Sequence, residues 1–221
     1  MNSSRARIAR AAILGQLVFV GGWLVVGAIE GHGYDALHDD ISDLAAQTAH
    51  YATVDRTTLA ISGSLTIALA FVLRAHLGNA ALLLALSLPG LDNLSDVFFR
   101  LDCRAADAGC SMSDATGSWH GKTHIAVFVV AALATLAAPF VLARAMRRQD
   151  AWSALAGRTK AFGFVTIALM LATGATSGTL VGGLTQRLAA GVVAAGVAAL
   201  AWQVIRVDER SWRQMALMAG R

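Results

Sequence analysis

Asp39 and Asp43, Asp92 and Asp96, and His120 and His124 are three pairs of ionisable side chains, each spaced four residues apart. Residues at that spacing share one face of a helix. The histidine pair would aim two imidazoles at one point, a known way to hold a metal ion. The aspartate pairs would do the same with carboxylates, and close carboxylates do not all ionise without a cation or a shared proton. The segment Asp39-Asp40-Ile41-Ser42-Asp43 also aligns with Asp92-Asn93-Leu94-Ser95-Asp96, matching Asp39 to Asp92, Ser42 to Ser95 and Asp43 to Asp96. Plainer roles compete with chemistry. Asp40 can cap a helix start with Asp43 at its third position, and Asp92 and Asp96 can form a polar knot that fixes helix packing.

What must position these groups is a membrane. Of 221 residues, 56% are hydrophobic and 14% are charged, against about a quarter charged in ordinary globular chains. That excludes a disordered chain, a disulfide scaffold and a soluble nucleic-acid binder, and no nucleic acid is expected as a partner. The net charge of +4 comes from Lys and Arg set between long apolar runs. A crossing helix needs about 20 mostly apolar residues. Six runs qualify: Ala11–Ile29, Thr58–Leu73, Asn79–Phe99, Thr123–Ala143, Ala161–Leu180 and Leu188–Ile205. The expected fold is all-α, a single domain over residues 1–221 forming one bundle of six transmembrane helices. The first run, preceded by Arg5, Arg7 and Arg10, resembles a secretory signal but is long enough to span. The Arg144-Ala145-Met146-Arg147-Arg148 run, Arg158 and Lys160 fall on the same side as the N-terminus, which places both termini in the cytoplasm.

The same topology sends the acids outward, together with His32, His38, His50, His120 and His124. Cys103 and Cys110 share the outer loop between the third and fourth runs, where a disulfide is the natural state and would hold Asp102 near the end of the third run. An acid inside the bilayer costs on the order of 2.5–3.5 kcal/mol on insertion scales, so Asp92 and Asp96 should face the bundle interior. Pro89-Gly90 just before them can kink the helix and free carbonyls. Asp43, Asp96, Asp102 and His124 are therefore candidate catalytic groups. Ser42, Asp40, Asp92 and Arg100 are candidate substrate contacts. Asp43, Asp96, Asp102, His120 and His124 are candidate ligands of a divalent metal, Zn²⁺ for a mixed Asp/His set or Mg²⁺ for carboxylates alone. Gly174, Gly178 and Gly182 make a small-residue stripe suited to close packing within the monomer or to a homodimer.

The segments Ile41-Ser42-Asp43-Leu44-Ala45, Phe99-Arg100-Leu101-Asp102-Cys103 and Gly121-Lys122-Thr123-His124 resemble, in order, those of an uncharacterised prokaryotic six-span membrane family, domain of unknown function 998. Ala45 stands where the family tends to have Gly, and Arg100 where it tends to have Pro. The resemblance implies a fold and a bacterial plasma-membrane location, not an activity. The Ser, Asp and His groups at helix ends are similar to those of alkaline-ceramidase-like metal hydrolases. Asp39-Asp40-Ile41-Ser42-Asp43 looks like the Asp-Asp-x-x-Asp element with which terpene and prenyl enzymes hold a diphosphate through Mg²⁺. Three functions are thus expected in order: a metal-dependent lipid hydrolase with an extracytoplasmic site, a terpene cyclase or prenyl-diphosphate enzyme, and a non-enzymatic carrier, sensor or assembly factor.

Overall fold

The computed structural model describes residues 4–31 and 33–219, with side chains as far as Arg210; His32 and the side chains of Arg213 and Arg221 lie outside them. All regular structure among the described residues is helical. Five helices are long and apolar enough to cross a membrane. They are α1 (Ser4–Ile29), α2 (Ala52–Leu77), α3 (Trp119–Met146), α4 (Asp150–Thr176) and α5 (Gly182–Ala219). Most begin earlier than the apolar runs: α1 at Ser4 rather than Ala11, and α4 at Asp150 rather than Ala161. Apolarity limits only the part of a helix that must lie in lipid, and polar residues continue the backbone hydrogen bonding beyond it.

The third apolar run is not a continuous helix. Gly78, at φ 64°, ends α2 and turns the chain, a conformation glycine adopts without a Cβ clash. The run then proceeds through a 3₁₀ turn (Gly78–Ala81), one α-turn (Leu82–Ala85), a π-helical turn (Leu88–Asp92) and a last α-turn (Asn93–Ser95). Pro89 has no N–H to give, and Ser87 before the π-turn is extended. The Leu88 N–H, released from helical bonding, donates to Thr135 Oγ1 of α3 at 2.9 Å. This broken run returns along α2 at very close range. A Cβ on Gly63 would lie 2.7 Å from the Leu94 nitrogen and 2.9 Å from the Gly90 oxygen, so only glycine admits that backbone.

Each element packs against the next: α1 on α2, α2 on the broken run, the run on α3, α3 on α4 and α4 on α5. The ring closes where α5 returns to α1. At the end carrying Arg74, Arg144 and Arg147, the ring is filled by Leu69, Leu73, Leu142, Met146, Trp152 and Val204, all buried. Midway, Gln16 of α1 donates to Thr66 Oγ1 of α2 at 2.9 Å and to Ser62 Oγ at 3.3 Å.

Candidate functional site

Towards the opposite, acidic end the ring opens around a cavity of about 620 Å³. α3 and α4 form one side of it. Gly163 of α4 sits against Pro139 and Phe140 of α3, and Phe140 meets Phe164 edge-on with centroids 5.2 Å apart. Beyond that contact, Ile125, Phe128 and Leu136 of α3 and Ile167, Met170 and Leu171 of α4 line the cavity. Leu171 is 69% exposed and Phe128 39%, so the apolar wall reaches the outer surface between these two helices.

The far wall is polar. Ser42 and Asp43 come from a 3₁₀ turn (Ile41–Ala45) and Asp40 from the residue before it, Asp92, Asn93 and Asp96 from the broken run, His124 from α3 and Gln186 from α5. Gln186 accepts from the Ile41 N–H and so ties α5 to the turn. Asp40 occupies the residue before that turn, as expected, but its side chain makes no capping bond. His124 Nδ1 and Asp96 Oδ1 are 2.8 Å apart and buried, and the Phe99 carbonyl lies beside the same ring. Asp43 is 1% exposed; its Oδ1 accepts from the Ala105 N–H at 3.2 Å, and its Oδ2 has no partner. Asp92 Oδ1 and Asn93 Nδ2 are likewise buried and unpartnered. Burial pushes the Asp43 carboxyl up to about 7, with Asp40 and Asp39 adding repulsion against the Ala105 N–H and Arg104. Burial also raises Asp40.

The structure therefore brings together Asp40, Ser42, Asp43, Asp92, Asp96 and His124, and leaves three candidates elsewhere. Asp102 accepts from the Ser118 N–H at 2.7 Å and its hydroxyl at 2.6 Å, bonds that hold its carboxyl below the usual range. Ser118 in turn caps α3 by accepting from the His120 and Gly121 N–H groups, so Asp102 anchors the start of that helix. His120 bonds the Phe98 carbonyl and stacks at 3.8 Å on Trp119. Arg100 does not line the cavity. The five expected metal ligands accordingly do not share one point, and among the described residues no three His, Cys, Asp or Glu are grouped to hold a metal. Gly174, Gly178 and Gly182 also fail to form a stripe on one helix. Gly174 lies on α4 in the cavity wall, Gly178 follows the end of α4 at φ 72°, and Gly182 begins α5.

Two buried arginines carry weight that spacing did not reveal. Arg104, inside the loop closed by the Cys103–Cys110 disulfide, reaches Glu30 Oε1 at 2.7 Å and Asp107 Oδ1 at 2.6 Å. Glu30 also accepts the His50 and Tyr51 N–H groups. This loop thereby roofs the cavity with Ala105. Arg187 of α5 donates to the Asp39 and Gly183 carbonyls and to the Tyr34 hydroxyl, beneath the Trp23 ring. Asp55 of α2 is a further acid at 1% exposure, with Oδ2 unpartnered.

No curated protein and no solved structure matches the chain. The sequence profile of the family described as "Protein of unknown function (DUF998)" matches residues 13–203. With nearly all of the ring inside that match, the chain, which carries five helices long and apolar enough to cross a membrane, belongs to the DUF998 family.

Proposed function

We propose that the chain is a membrane-embedded enzyme that takes an amphiphilic lipid or prenyl substrate sideways from the bilayer and acts on its head group. One observation carries this: an apolar cavity that reaches the surface between α3 and α4 ends on Asp40, Asp43, Asp92 and the Asp96–His124 pair. A wall of that kind suits a hydrocarbon tail, and a carboxylate-bound imidazole suits proton transfer at a head group. In a hydrolytic reaction the Asp96–His124 pair would handle the proton of the attacking water. Asp43, which keeps its proton up to about pH 7, would return one to the leaving group.

In this reading the broken run completes a sixth crossing, both termini are cytoplasmic, and the polar end of the cavity faces out of a bacterial plasma membrane. The arginines around Arg144 support that orientation. The test compares lipids extracted from cells expressing the wild type and Asp96→Asn. A lipid class depleted, with its cleaved product accumulating, in the wild type alone is the expected result. Identical profiles remove the enzyme reading.

A second reading has its own observation. Asp40 and Asp43 share one cavity with Asp92 and Asp96, as a Mg²⁺-held prenyl diphosphate would need. It expects turnover of a prenyl diphosphate by isolated membranes that stops when Mg²⁺ is chelated.

A further inference from the structure

The charge of the cavity selects among head groups. Its polar wall holds four carboxyl groups, and among the described residues no Lys or Arg lines it. The two buried arginines nearby are engaged elsewhere, Arg104 with Glu30 and Asp107, and Arg187 with Tyr34 and two carbonyls. A phosphate entering this wall would meet four carboxyl groups and one imidazole, His124, already bonded to Asp96, whereas an ammonium would find an acceptor at each carboxyl and favour its ionised form. The unmet hydrogen-bonding capacity has the same sense. Asp43 Oδ2 and Asp92 Oδ1 lie in side chains more than nine-tenths buried and have no hydrogen-bond partner, and each becomes an acceptor once an approaching ammonium draws its carboxyl into the ionised form. Buried polar atoms without partners are rare because each costs about 1–3 kcal/mol. Asn93 Nδ2, beside Asp92, is a buried donor without an acceptor. A head group complementary to all three atoms offers N–H donors to the two aspartates and one oxygen to the asparagine.

Resting on the lateral-entry reading above, we infer that the ligand of this cavity is a long-chain amine whose protonated nitrogen meets Asp43 and Asp92, with a neighbouring hydroxyl or carbonyl oxygen on Asn93. The apolar wall of Phe128, Leu136 and Met170 takes the chain. Anionic amphiphiles, including phosphates and diphosphates, are excluded unless a cation accompanies them.

The experiment uses the full chain in phosphatidylcholine nanodiscs. Its probes are a long-chain alkylamine carrying a photoreactive diazirine in its tail and the alkyl phosphate of the same chain length, each with and without Mg²⁺. Crosslinked peptides are mapped by mass spectrometry. The expected result is amine labelling at Phe128 or Met170 that exceeds phosphate labelling at least about ten-fold, the equivalent of one charge contact of 1.4 kcal/mol. That labelling should fall in the Asp43→Asn/Asp92→Asn variant. The wild-type preference of one probe over the other stands even if the variant does not fold. Equal or stronger phosphate labelling without Mg²⁺ overturns the amine assignment while leaving the lateral cavity intact. Phosphate labelling that appears only with Mg²⁺ overturns it in favour of the diphosphate reading. Amine labelling that survives in the folded variant removes the role of the two aspartates, and no labelling by either probe removes the lateral cavity as well.

Discussion

The two ends of the ring use the same helices for opposite purposes. At the basic end, Leu73, Leu142, Met146 and Trp152 fill the space between elements. At the acidic end the space is left open, apolar along α3 and α4 and bounded by carboxyl groups on the far wall. Gly163 on Phe140 marks the boundary. A fold that must keep charged side chains under its surface gains by placing its rigidity elsewhere, since stability and strained or desolvated sites compete when they share residues.

Variants at each end break this contrast in different ways. The largest effect is expected from Asp96→Asn combined with His124→Gln, which removes the proton-transfer pair without stranding either partner. Turnover should fall by roughly 10²–10⁴-fold, the range for lost general acid–base groups, with little change in Tm. Loss of fold instead would show the pair to be structural. Next is Leu73→Ala at the basic end, which should cost about 2–5 kcal/mol of stability and leave turnover per folded molecule unchanged. Thermal unfolding in nanodiscs together with a rate assay separates the two. Smaller again is Cys103→Ser with Cys110→Ser. It should lower stability by about 2 kcal/mol, at the low end of the disulfide range because the loop is short. Reductant should then no longer shift Tm.

The last effect is a slope. Asp43 has a folded value of about 7 against 3.8 in the reference state. Between those values the folded chain binds a proton that the unfolded chain does not, so stability falls as pH rises through the window. Asp43→Asn should flatten unfolding against pH between about 4 and 7. A slope unchanged in the variant would place the titration on other groups, such as Asp40.

Much of this was legible because membranes restrict what a sequence can do. Apolar length located every long helix, and Pro89-Gly90 announced the irregular backbone that became the π-turn. That Asp92 and Asp96 need partners followed from the cost of burying them, but that His124 is the partner of Asp96 did not. Helix ends were less legible: backbone hydrogen bonding continues through Trp119 or Asp150 whatever their polarity. Asp102 and His120 had suitable types, yet Asp102 serves the Ser118 cap and His120 the Phe98 carbonyl. The Ser118 position before an apolar helix was the signal for the first. Glu30 with Arg104, and Arg187 with the Asp39 carbonyl, join residues too distant in sequence for any spacing to report.

That last separation shapes how the chain reaches its final form. Glu30 and Arg104 are seventy-four residues apart, so α1 and α2 leave the ribosome well before the arginine does. Until the Cys103–Cys110 segment is delivered, the glutamate has its two backbone donors but not its counter-charge. Biogenesis thus runs from a provisional helical hairpin to a finished vault, and the roof can close only after the broken run has been synthesised.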